Sequence, residues 1–143
     1  METRSEKIVR VFNGLGPDTM PLLHEFYAPD VVFEDPLGRI HGRDNLHAYY
    51  ENMYKTVQEI RFDFSSSVVQ DDTHVVVWTM RLKARGLNRG QEVVLDGNSV
   101  LRFGADDKVI FHRDYFDMGA FVYQHVPVLL WLVAKVNQRL AHK

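Results

Sequence analysis

At Arg61 the spacing of apolar residues changes from a helical repeat to strict alternation, and this switch fixes the broad class of fold. Phe62 and Phe64 alternate with polar neighbours, and Asp71-Asp72 turns the chain into a strand from His74 to Ala84. In that strand Val76, Trp78, Met80, Leu82 and Ala84 share one face. Arg85 to Gly90 contains two glycines and Asn88 and reads as a hairpin connection. The next strand, Gln91 to Phe103, places Val93, Leu95, Gly97, Ser99, Leu101 and Phe103 on one face. Gly104-Ala105-Asp106-Asp107 then turns it into Lys108 to Asp117. Long strands joined by short turns make an antiparallel meander.

Upstream the pattern is helical. Ile8, Val9 and Phe12 mark a helix over Ser5 to Asn13 that Gly14-Leu15-Gly16-Pro17 ends. A short second helix carries Met20, Leu23 and Phe26, with Asp18 or Thr19 as its cap and Pro21 in its first turn. After Gly42 a third helix aligns Leu46, Tyr49, Tyr50, Met53 and Val57. Between the last two, Val31 to Asp35 is a short strand closed by Pro36 and Gly38. Helices grouped ahead of an antiparallel sheet predict one α+β domain over residues 1–143. Residues 118–143 are expected to form a helical extension. There Val128, Leu129, Leu132, Val133, Val136 and Leu140 make one stripe, while Leu130 and Trp131 put apolar bulk on the other side. A helix apolar on two sides needs two neighbours, which predicts a homodimer. Trp131 with Lys135, Arg139 and Lys143 also suits an interfacial membrane contact.

Charge and composition exclude several functions. Lys plus Arg is 17 against 19 for Asp plus Glu, a formal charge of -2, without the basic excess that nucleic acid demands. The chain has no cysteine, so disulfides, thiolate catalysis and Cys-ligated metals are excluded. The apolar run from Val126 to Ala134 is far short of the roughly 20 residues of a membrane span. Met1 to Lys7 is charged and leads into no apolar leader, so a cytoplasmic location is expected. His24, His41, His47 and His74 are too scattered to give three ligands, so no metal is expected. Gly14-x-Gly16 runs into Pro17 and cradles no phosphate, so no cofactor is implied. Aromatic residues make up 12% of the chain, enough to line either a core or an apolar pocket.

The segment Phe26-Tyr27-Ala28-Pro29-Asp30-Val31-Val32-Phe33-Glu34-Asp35-Pro36-Leu37-Gly38, continuing to Asp44, closely resembles the bacterial ketosteroid isomerases. Those enzymes belong to a cone-shaped superfamily with nuclear transport factor two, scytalone dehydratase, limonene epoxide hydrolase and the polyketide cyclases. The likeness is strong from Tyr27 to Tyr50; further on, as far as Asp117, it rests on the order of elements and on similarity around Arg102-Phe103 and Tyr115. It implies a curled antiparallel sheet wrapped around the three N-terminal helices, with an internal cavity. It also implies that Asp35 is a general base that carries a proton between two carbons, held at the cavity mouth where burial would raise its pKa, the alternative being that Glu34-Asp35-Pro36 only caps a turn. The isomerases hold the enolate oxygen with a tyrosine of the first helix and a protonated aspartate on a strand. Here the first helix offers Phe12, and Ser99 stands at the aspartate's place, so isomerisation of 3-oxo-steroids is not expected.

A replacement is sought on the last strand, where Ile110, His112, Asp114 and Phe116 share one face by alternation. The resemblance turns that face toward the cavity, and the polyketide cyclases similarly carry an acid/base residue on a late strand. His112 and Asp114 are read as a catalytic polar pair, or alternatively as a satisfied pair at the sheet edge. Tyr50, Trp78, Met80, Ser99 and Phe116 are the expected substrate-binding residues, with core filling the alternative for Trp78 and Met80. The function implied is cofactor-free proton transfer on a small hydrophobic carbonyl compound, of isomerase or cyclase type, with hydrolysis possible on the same residues. The other reading is a non-enzymatic module that binds a hydrophobic ligand or a protein.

Overall fold

The computed structural model describes residues 1–117, 119, 135, 136, 138 and 140. Three helices precede or interrupt the strands: α1 (Arg4–Gly14), α2 (Pro21–Phe26) and α3 (Arg43–Met53). The strands are β1 (Tyr27–Asp35), β2 (Gly38–His41), β3 (Val57–Gln70), β4 (Thr73–Ala84), β5 (Val93–Phe103) and β6 (Val109–Phe116). They form one six-stranded sheet in the order β2-β1-β6-β5-β4-β3.

Strands β3 to β6 form the antiparallel meander that the alternation predicts. The whole sheet is mixed, however, because β1 pairs with β6 in parallel. The two are far apart in sequence, and the helix and strands between them supply the long crossover that parallel neighbours require. Strand β1 also starts earlier than expected, directly after α2, and β2 is a strand the sequence reading lacks. Val57 opens β3 instead of closing α3. A register shift between Phe64 and Ser66 helps bend β3 as the sheet curls.

Thr3 caps α1, its Oγ1 accepting from Glu6 N at 3.1 Å. The buried face of α1 is Ile8 and Val11, while Val9 is exposed. Neither Asp18 nor Thr19 caps α2. Thr19 Oγ1 instead donates to the Gly14 carbonyl at 2.6 Å, and Pro21 at the first turn starts the helix from Met20. Val109 is fully buried and Ile110 only half-buried, because the register slips between Phe103 and Arg102 at their β6 partners Val109 and Phe111. Past the slip the alternation resumes, and His112 faces inward.

The core packs Ile8, Leu23, Phe26, Val31, Leu46, Leu101, Phe103 and Val109 between the helices and the concave sheet face. His74 belongs to this interior. Its ring meets Phe103 at 5.2 Å, and its Nδ1 has no partner among the described residues. Burial first, and then the charge of Arg4, lower its pKa. The folded protein therefore binds fewer protons at His74 than the unfolded chain, so stability should fall as the pH drops below about 6.5. Urea titrations across this range should show a shallower decline in His74→Gln; an unchanged slope would remove His74 from the explanation.

The expected extension over 118–143, with Leu130 and Trp131, lies largely outside the described residues, as does the two-neighbour argument built on it. Of its stripe, Val136 and Leu140 are described and exposed.

Candidate functional site

A cavity of ≈ 240 Å³ lies between α1, α3 and the concave face of the sheet. Phe12, Phe33, Met53, Phe62, Met80 and Phe116 supply much of its apolar wall. Its polar groups are Tyr27, Asp35, Tyr49, Tyr50, Tyr54, Thr56, His112 and Asp114. Placed polar groups within an apolar shell are the usual composition of a small-molecule site.

The β1–β6 pairing builds the centre of this site. It sets Phe33 opposite His112 and brings Tyr27, at the start of β1, within reach of the same imidazole. The Tyr27 hydroxyl lies 2.7 Å from His112 Nδ1, and His112 Nε2 lies 2.6 Å from Asp114 Oδ1. Ser99 Oγ donates to the same Asp114 oxygen at 2.6 Å and accepts from Trp78 Nε1 at 2.9 Å. Tyr50 in turn is hydrogen-bonded to Tyr27.

The Asp114 carboxylate can only accept, so His112 Nε2 carries the hydrogen that faces it, while Nδ1 meets the Tyr27 hydroxyl. Burial pushes the Tyr27 and Tyr50 hydroxyls well above the ordinary tyrosine range, which keeps both as neutral donors. His112 is 2% exposed, and the rings of Phe12 and Tyr27 lie near-parallel to it at centroid distances of 5.6 and 5.8 Å. Asp114 is more open, its side chain 21% exposed. Its Oδ2 has no partner among the described residues, and the residue lines both the cavity and an outer depression beside Asp35, Asp96 and Asn98.

Asp35 ends β1 at the cavity wall. Its Oδ1 accepts from Leu37 N at 2.8 Å and Gly38 N at 3.2 Å, which closes the turn into β2. Its Oδ2 accepts from the Tyr49 hydroxyl at 3.1 Å. Burial, followed by the Asp35 charge, raises the Tyr49 pKa, so this phenol also stays protonated. Asp35 thus combines a position in the cavity with the turn-forming role open to an Asp-Pro pair.

Of the residues singled out in the sequence, Asp35, Tyr50, Met80, His112, Asp114 and Phe116 line the cavity. Trp78 and Ser99 do not. Both are buried behind the wall, 3% and 0% exposed, and act on the site only through the bonds that end at Asp114. The reason is depth: alternation tells which face of a strand a residue occupies, and His112 and Asp114 stand between Ser99 and the open space. Tyr27, Tyr49 and Tyr54 are site residues the sequence reading missed. A tyrosine at the first position of β1 carries no local signal, since its partner is 85 residues away. Tyr49 is already on the α3 stripe, one turn before Met53, and Tyr54 lies one turn after Tyr50, a spacing that could have identified both as site residues. Among the described residues no group of three His, Asp or Glu side chains can hold a metal ion, and no helix is long and apolar enough to cross a membrane.

A search of curated proteins finds no match to the chain. Among solved structures, an NTF2-like protein of unknown function from Burkholderia pseudomallei is similar with a TM-score of 0.71 and 22% identity, over 85% of this chain and 98% of its own. TerC, crystallised with polyporic acid, is similar with a TM-score of 0.70 and 21% identity, over 82% of this chain and 94% of its own. A protein from Jannaschia sp. CCS1 assigned as a SnoaL-like polyketide cyclase has a TM-score of 0.69 and 20% identity, over 82% and 90%. These identities establish the fold alone. The model of the SnoaL-like domain matches residues 8–112, from Ile8 in the middle of α1 to His112 in the cavity wall. With that match over most of its length, the chain belongs to the SnoaL-like domain family, and its fold is NTF2-like.

Proposed function

We propose that the cavity catalyses cofactor-free proton transfer next to the carbonyl of a small hydrophobic compound, with Asp114 as the acid/base. One observation carries this reading: a buried line of donors, Tyr27 to His112 and Ser99 to Asp114, orients a carboxylate whose second oxygen remains available at an apolar wall. Asp114 Oδ2 takes a proton from the carbon beside the carbonyl, and the C–H electron pair moves into the enolate. The protonated Asp114 then returns the proton to the same or a conjugated carbon. His112 Nε2–H and Ser99 Oγ–H hold the carboxylate's direction throughout. Because Asp114 also borders the outer depression, its proton exchanges with water between turnovers.

The isomerase resemblance favours Asp35 as the base. Its oxygens accept from two backbone amides and Tyr49, so in this reading it shapes the mouth and anchors Tyr49. The Jannaschia neighbour's assignment as a cyclase supports the reaction class, and TerC's co-crystal with polyporic acid supports a small organic ligand.

The test uses β-tetralone, a bicyclic ketone with acidic protons beside its carbonyl, incubated with the protein in deuterium oxide. Proton NMR should show washout of those signals faster than in buffer with an equal concentration of an unrelated protein. Binding of the ketone with no accelerated washout would leave the ligand-carrying module as the function.

A further inference from the structure

The proton-transfer reading needs a donor for the developing enolate oxygen, and the proposal here rests on that reading. Among the described residues, nearly every donor at the cavity wall is already committed. Tyr27 is bonded to His112, Tyr50 to Tyr27, Tyr49 to Asp35 and His112 to Asp114. Thr56 Oγ1 donates to the Met53 carbonyl at 3.2 Å. Tyr54 is the exception: its hydroxyl has no hydrogen-bond partner among the described residues, and the side chain lines the cavity.

Its placement is built. Tyr54 is the C-cap of α3, and its amide bonds to the Tyr50 carbonyl at 2.9 Å. Its ring stacks on that of Tyr50 with centroids 6.1 Å apart and planes 19° from parallel. The three hydroxyls are near enough that ionising one would oppose ionisation of the others. Three phenols thus converge on one region of the wall, two consumed in orienting His112 and one left over.

We propose that the Tyr54 hydroxyl is a catalytic residue, the donor that receives the substrate's carbonyl oxygen and holds it as the enolate forms. The proton leaves carbon for Asp114 Oδ2, and the negative charge arrives on the oxygen facing Tyr54. No proton leaves the phenol, because burial pushes its pKa up to about 12, above the physiological range. The donor therefore stays neutral while it stabilises charge, as an oxyanion site requires. The same geometry selects ligands that carry one ketone, enol or phenol oxygen on an apolar ring system.

β-Naphthol and naphthalene, which differ by one hydroxyl, test this by fluorescence titration of the wild-type protein and of Tyr54→Phe. Wild type should bind β-naphthol more tightly than naphthalene, and Tyr54→Phe should lose about tenfold or more for β-naphthol. Naphthalene affinity should stay the same, which shows that the cavity is intact. Equal loss for both probes, no loss for either, or failure of both to bind wild type would each overturn the assignment. The deuterium-exchange assay separates this proposal from the reading beneath it. Washout that Tyr54→Phe retains in full but Asp114→Asn loses would remove Tyr54 alone; washout that both retain would remove the proton-transfer reading as well.

Discussion

Asp114→Asn should slow deuterium washout from β-tetralone by about 10²- to 10⁴-fold, the usual contribution of a positioned acid/base. The substitution keeps the side-chain shape and leaves one oxygen to accept from Ser99 Oγ and His112 Nε2. It replaces the oxygen available to substrate with an amide that cannot take a proton. Stability should change by about 1 kcal/mol, the weight of one hydrogen bond. Urea denaturation beside the exchange assay checks both numbers. A variant that unfolds, or one that keeps its rate, would contradict the role.

Gly97→Ala should destabilise the fold by about 1–3 kcal/mol or more, because nothing near it can yield cheaply. A Cβ at position 97 would lie 2.7 Å from Trp78 Cζ3 and 2.7 Å from the Tyr115 carbonyl oxygen. The indole is 3% exposed and tied to Ser99, while the carbonyl belongs to the backbone of the neighbouring strand β6. The absent side chain is what lets the indole cross under β5 and reach Ser99. Trp78→Leu in the same chain should recover only part of the loss, since the clash with the Tyr115 carbonyl remains. Thermal melts of the single and double variants measure this, and a wild-type melting temperature for Gly97→Ala would refute the packing argument.

The meander was legible because β4 alternates without interruption from His74 to Ala84 and β5 nearly so. His112 and Asp114 were legible because the register slip of β6 falls before them, at Ile110. What the sequence hid is non-local. Helix α2 passes into β1 at Tyr27 with no linker, so neither the early start of the strand nor the tyrosine's partner shows in any window. Parallel pairing across 85 residues makes the Tyr27–His112 bond, and no periodicity encodes it. The resemblance gave Asp35 its place at the cavity and the turn-cap alternative its ties to Leu37 and Gly38, whereas the bond to Tyr49 is a matter of rotamer. Trp78 and Ser99 lie on the expected face but behind the cavity wall, Trp78 filling the core as its alternative reading has it.

The central claim is that Asp114, and not Asp35, carries the proton. Measuring β-tetralone washout in Asp35→Asn and Asp114→Asn side by side tests it most directly. The account predicts that Asp35→Asn keeps most of the wild-type rate, because the amide oxygen can still close the turn with Leu37 N and Gly38 N, while Asp114→Asn loses the rate. Loss in Asp35→Asn with a wild-type rate in Asp114→Asn would contradict the account and return the proton to the residue that the isomerase resemblance implies.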